Sequence, residues 1–231
     1  MILYSIHLEK CGGTTLDLIY HDKIGERYVR ASPRQSAFSP DAYKKQYPDN
    51  TVFHGHFSYG AHRHHAESYP IEYTTVLREP VDRFVSHYYH VTTRKDHPQY
   101  PTVQGMTIGQ YMDTDMCLSV KNIMTRRLAG VCDNESDLTI AYSRALANLR
   151  TFPLVGVLQH LDEYLTAMAQ RYDFEPTRLS RSNVGKRKTL AEIPTATLDR
   201  IREENDYDIN LYEHVLQRLQ ENKTKVLRST P

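Results

Sequence analysis

The sequence has no tryptophan and only three cysteines in 231 residues. Three is an odd number without dense spacing, so a disulfide framework is excluded as the basis of the fold. Cys117 and Cys132 could pair, but the pattern reads as a reduced cytoplasmic chain. An excess of charge is also lacking. Lysine and arginine number 29 against 28 aspartates and glutamates, for a net charge of +1 with histidine neutral. No general basic surface for nucleic acid or an anionic membrane follows, and any basic patch is local. No apolar run approaches the roughly 18–20 residues of a membrane span. The apolar N-terminus lacks the basic segment that opens a secretory signal. Internal repeats and low-complexity tracts are absent too. The expectation is a cytoplasmic protein with no nucleic-acid or membrane partner, its oligomeric state unspecified.

At 39% hydrophobic and 25% charged residues, the chain suits one globular domain. We place that domain at residues 1–222, with 223–231 as a frayed tail. Tyrosine is frequent, at 17 residues, and suits either polar-ligand surfaces or ordinary core packing. Apolar or β-branched runs predict strands over 2–8, 51–56, 72–78 and 152–157. Residues 30–50 read as a loop with a short helix, and 95–105 as a loop. Helical spacing covers 14–22, 80–92, 107–113, 117–129, 138–149, 161–172 and 195–219, the last as one or two helices. Strands alternating with helices predict an α/β fold with a mostly parallel central sheet flanked by helices.

The segment after the first strand carries the chemistry: Glu9-Lys10-Cys11-Gly12-Gly13-Thr14-Thr15. Two glycines between a strand and a helix let backbone N–H groups turn toward a ligand. The helix N-terminus, Lys10 and the hydroxyls of Thr14 and Thr15 all favour an anion, so the loop reads as a P-loop-like phosphate cradle. It is not a Walker A loop, where the lysine follows the glycines, and GxGxxG is absent. His54, His56 and Arg78 fall at other predicted strand ends, where ligands of such sheets bind. His62, His64 and His65 with His54 and His56 raise the alternative of a metal site. No carboxylate pair stands at ligand spacing, so no metal is expected. Cys11 at a helix start could have a lowered pKa, but nucleophilic catalysis there is not expected.

The strand–Lys10-Cys11-Gly12-Gly13-Thr14-Thr15–helix segment and the run Leu77-Arg78-Glu79-Pro80-Val81-Asp82-Arg83-Phe84-Val85-Ser86 together resemble the PAPS-dependent sulfotransferases (PAPS is 3′-phosphoadenosine 5′-phosphosulfate). The similarity is greatest to the carbohydrate branch that includes the heparan sulfate and uronyl 2-O-sulfotransferases. The resemblance implies that residues 10–15 hold the 5′-phosphosulfate and that Arg78 and Ser86 hold the 3′-phosphate. It implies that His56, in Phe53-His54-Gly55-His56, is the catalytic base. A looser match over Arg181-Ser182-Asn183-Val184-Gly185-Lys186-Arg187-Lys188 brings Asn183 and Lys188 to the nucleotide. Family loops often have proline before the lysine; this chain has Glu9.

Sulfuryl transfer resembles phosphoryl transfer, in that charge builds on the leaving oxygen and electrostatic positioning dominates. Lys10 suits that oxygen. Arg78 offers a fork to a terminal phosphate, and a neutral imidazole at His56 suits an acceptor hydroxyl. His54 shares the strand face of His56 and would orient it or touch the acceptor. Acceptor contacts are expected from Tyr59, His62, Arg63 and Arg94. The leading reading is transfer of sulfate from PAPS, with PAP as product, to a hydroxyl, a saccharide in first place. The alternatives are a P-loop-like small-molecule kinase and a non-catalytic nucleotide- or glycan-binding module.

Overall fold

A computed structural model describes residues 1–31, 50–61, 70–130, 137–175 and 189–229. Five strands, β1 (Ile2–Ile6), β2 (Tyr28–Ala31), β3 (Thr51–Gly55), β4 (Ile71–Leu77) and β5 (Leu154–Val157), form one sheet in the order β2-β3-β1-β4-β5. Every pairing is parallel. The α/β expectation therefore holds, and the sheet is parallel throughout.

β1 lies at the centre because all five of its residues can be buried. Ile2, Tyr4 and Ile6 join a core with Phe53, Tyr73 and helices α6 (Ile123–Ala129), α7 (Leu138–Thr151) and α10 (Asp206–Ser229). Leu3 packs on the other face with Val52, Val76, α1 (Gly13–Ile24) and α8 (Leu161–Tyr172). An apolar residue on both faces at successive positions is what a covered parallel strand requires. A third cluster joins α2 (Pro80–Thr93) to the short helices α3 (Tyr100–Val103), α4 (Ile108–Met112) and α5 (Asp115–Leu118), and to α9 (Thr195–Glu203). The chain leaves the sheet in opposite directions on the two sides of β1, and the carboxyl ends of β3, β1 and β4 bound the crevice this creates.

Four features differ from the sequence reading. Residues 28–31 form the edge strand β2, an element outside the sequence expectation, which takes residues 30 and 31 from the expected loop. Its four residues, Tyr-Val-Arg-Ala, follow a 3₁₀ turn and are too few for a period to register. Residues 100–103 form a helical turn inside the expected loop. The helix expected over 117–129 is two helices. Asn122 takes φ 51° between them, its side chain donating to the Glu204 carbonyl and accepting from the Asp208 amide. At the C-terminus, α10 runs to Ser229, past the helix end expected at residue 219. Among the described residues no helix is long and apolar enough to cross a membrane.

Candidate functional site

β1 ends at Ile6, and the next amide, of His7, donates to the Gly55 carbonyl at 2.8 Å. The loop then turns sharply. Lys10 and Gly12 take left-handed φ values of 67° and 85°, the first costing about 1–2 kcal/mol for a residue with a side chain. α1 starts at Gly13 with no side-chain cap. The amides of Thr15 and Leu16 return to the Gly12 carbonyl. Among the described residues, nothing accepts from the amides of Gly12, Gly13 and Thr14, the donors a helix start leaves over. A Cβ on Gly13 would lie 1.6 Å from His7 Nε2, so only glycine lets the imidazole rest on the loop. Cys11 is buried, its Sγ donates to the Glu9 carbonyl at 3.7 Å, and burial pushes its pKa up to about 12. It is a thiol that fills the loop from beneath.

Three imidazoles stand in a column beside this loop. The parallel register sets Ser5 against His54 and Ile6 against Gly55, so His7 and His56 emerge as neighbours. The His7 ring stacks on His56 at 4.0 Å and on His54 at 4.9 Å. Burial, followed by the charges of its neighbours, pushes the His7 pKa down to about 2. His56 is 44% exposed. Its Nδ1 lies 2.9 Å from the His7 carbonyl, which can only accept, so Nδ1 carries a proton, and in the neutral ring the lone pair is on Nε2.

His54 is fully buried, and burial pushes its pKa down to about 4. Its Nδ1 meets Ser5 Oγ at 2.9 Å and the Ser5 carbonyl at 3.2 Å. A chain of hydroxyls continues through Tyr20 and Tyr164 to Thr74, which donates to the Leu154 carbonyl. That last acceptor fixes the direction of every donor behind it, back to Nδ1–H of His54. Among the described residues Nε2 of His54 has no hydrogen-bond partner, and Asp17 is 3.9 Å away.

At the end of β4, Arg78 Nη1 donates to the Lys10 carbonyl at 2.8 Å and Nε to Asp82 at 2.7 Å, so its fork is held against the loop. Glu79 caps α2, accepting from the amides of Val81 and Asp82, and Pro80 opens the helix. Ser86 is half-buried on α2. Thr92 and Thr93 return their hydroxyls to the carbonyls four residues back, whereas Ser86 forms no such bond among the described residues. Lys10 faces this helix. Burial first, and then cationic neighbours including Lys10, push His87 down to about 3 and His90 to about 4. Arg83, fully buried, donates to the Val120 carbonyl and lies 3.9 Å from the equally buried Asp208, tying α2 to α10.

The structure thus brings Lys10, Gly12–Thr15, His56 and Arg78 to one edge, with His54 beneath. Tyr59 instead packs among Tyr73 and Phe152 at 4.8 and 5.9 Å. Arg94 is exposed at the far end of α2 and paired with Asp96. Asn183, Lys188, His62 and Arg63 lie outside the described residues, as do the other histidines of the 62–65 cluster. Among the described residues, no group of three or more His, Cys, Asp or Glu side chains could hold a metal ion. Sequence reasoning missed His7, whose nearness to His56 depends on strand register. It also missed the partner of Glu9, which is Arg127 of α6 at 3.0 Å. Residues 2–214 match the profile of a family described as "Sulfotransferase family". No curated protein matches the chain.

Proposed function

The chain belongs to the sulfotransferase family, and from that premise we propose that it transfers a sulfuryl group from PAPS to a hydroxyl acceptor, a saccharide in first place, with His56 as general base. One observation carries the reading. An uncapped helix start with Lys10, a pinned arginine fork and a half-exposed imidazole share the ends of three adjacent strands.

The loop suits the donor. The amides of Gly12, Gly13 and Thr14, with the hydroxyls of Thr14 and Thr15, offer a fixed set of N–H and O–H groups to a 5′-phosphate. The donor supplies an activated sulfuryl group on a phosphate leaving group. Lys10 stabilises the charge that builds on the leaving oxygen, in an environment already arranged for it. Arg78 and Ser86 hold the 3′-phosphate through side chains. His56 accepts the acceptor's proton at Nε2, because Nδ1–H is committed to the His7 carbonyl. His54 is a positioning residue: its fixed tautomer supports the ring of His7, on which His56 stacks.

The test is a calorimetric titration with PAP and with ATP–Mg²⁺, followed by mass spectrometry for the gain of one SO₃ group across an acceptor panel with PAPS as donor. Binding of PAP, with sulfated product, is expected. His56→Gln should keep PAP affinity while turnover falls roughly 10²–10⁴-fold. Binding of ATP–Mg²⁺ but not PAP would overturn the donor, and full turnover in His56→Gln would overturn the base.

A further inference from the structure

Glu9 stands where a carboxylate is least expected, one residue before Lys10 in a loop built for anions. Its Oε1 lies 3.5 Å from His56 Nδ1 and 3.0 Å from Nη2 of Arg127. Glu9 and Arg127 are each about one quarter exposed. Among the described residues, Oε2 of Glu9 and Nε of Arg127 are buried without hydrogen-bond partners, which leaves Oε1 and Nη2 to make the direct Glu9–Arg127 contact. The arginine is not a loose surface residue. Its carbonyl accepts from the amides of Tyr59 and Gly130. Gly130 ends α6 at φ 77°, where a Cβ would strike the Tyr59 carbonyl at 2.6 Å. The end of α6 is thereby held against the segment that follows His56.

We propose that Glu9 and Arg127 form a charge pair that sets the basicity of His56 from opposite sides, an inference that rests on His56 being the general base. When Nε2 takes a proton, the imidazolium shares its charge with Nδ1, the atom nearest Glu9. The carboxylate therefore favours the protonated ring, and Arg127, bound to the same oxygen, opposes it. Without Arg127, the carboxylate would strengthen the ring's hold on a proton; without Glu9, the guanidinium would weaken it. His7, just past β1, stacks on the His56 ring, and His7 in turn lies among His54 of β3, Lys10 of the loop and Arg30 of β2. The other carboxylate of the column, Asp17 of α1, stands 3.9 Å from His54, whereas Glu9 is 3.5 Å from His56 itself. Both members of the pair act as positioning residues.

The test is the titration of the His56 ring by NMR, its resonances identified by their loss in His56→Gln, together with the acid limb of kcat/KM against pH. Glu9→Gln should move the His56 titration to lower pH, and Arg127→Gln should move it to higher pH. The acid limb should move the same way in each. Arg127→Lys keeps the charge and should leave the pKa close to that of the parent, which separates charge from packing. Unchanged titration in both single variants, or shifts in the same direction, would overturn the proposal. The NMR titration needs neither donor nor acceptor. A failure to transfer sulfate would therefore fall on the proposed reaction and leave this measurement standing.

Discussion

The turn from β1 into α1 and the turn from β4 into α2 leave neighbouring strands at the same edge of the sheet, yet they treat their amides in opposite ways. At α1 the cap position is a left-handed glycine, no side chain returns to the helix, and the first amides stay open. At α2 a proline removes one N–H outright and the Glu79 carboxylate takes the next two, at 3.0 and 2.6 Å. The amide of Arg83 returns to the Glu79 carbonyl. The first turn can receive an anion through its backbone. The second has no amide to offer and meets an anion only through side chains, Arg78 and Ser86. The difference teaches that, on the proposed reading, a donor with two phosphoryl ends would meet two chemistries: a backbone cradle at one end, and a fork with a hydroxyl at the other.

The sharpest way to break this comparison is at Lys10. Lys10→Met should lower kcat by about 10²–10³, the cost of losing one stabilising donor to a leaving oxygen. Lys10→Gly should lose the same activity without loss of stability, because glycine adopts φ 67° without the side-chain penalty. A lower Tm in Lys10→Gly with turnover intact would mean that the lysine serves the loop and not the chemistry.

Acid strikes the imidazole column under the open turn next. His7 and His54 are held neutral in the fold, with pKa values near 2 and 4 against 6.5 for a free imidazole. The unfolded chain binds these protons first, so stability is complete above pH 6.5 and drains as pH falls toward the folded values. His54 alone accounts for about 3 kcal/mol by pH 4. Chemical denaturation at a series of pH values should show this loss between pH 6 and 4. A flat profile there would mean the column is not neutral and packed as described.

The smallest effect belongs to the closed turn. Glu79→Ala should cost about 1 kcal/mol by uncapping α2, a fall in Tm of about 2–4 °C, with PAP affinity little changed. A large loss of PAP affinity would make the two turns alike.

Much of this was legible in the chain. Lys10, His56 and Arg78 each follow an apolar or β-branched run, and such runs locate strand ends without knowledge of the fold. Glycine pairs and Glu-Pro likewise announce an open and a capped turn. Other features depend on partners far away in sequence. His7 becomes part of the site only because β1 pairs with β3 in one register. Glu9 meets an arginine 118 residues away. Asn122 breaks a helical pattern because α10 supplies groups for its side chain. β2 is four residues long and owes its existence to β3. No local period carries such information, since it resides in contacts that exist only after the sheet has assembled.

The hydroxyl chain from His54 through Tyr20 and Tyr164 has an optical consequence. With no tryptophan in the sequence, the near-ultraviolet absorbance of this protein is written by tyrosine. Burial raises the phenol pKa of both Tyr20 and Tyr164 above the ordinary value of 10. The stability they confer by staying neutral is complete below that value and drains as pH rises past it. Alkaline titration followed at the phenolate band should therefore arrive in two waves, the exposed rings first and the buried ones, Tyr20 and Tyr164 with Tyr111 and Tyr172, only as the fold comes apart. The protein carries its own unlabelled reporter of whether its buried rings, the floor beneath the first loop among them, are still packed.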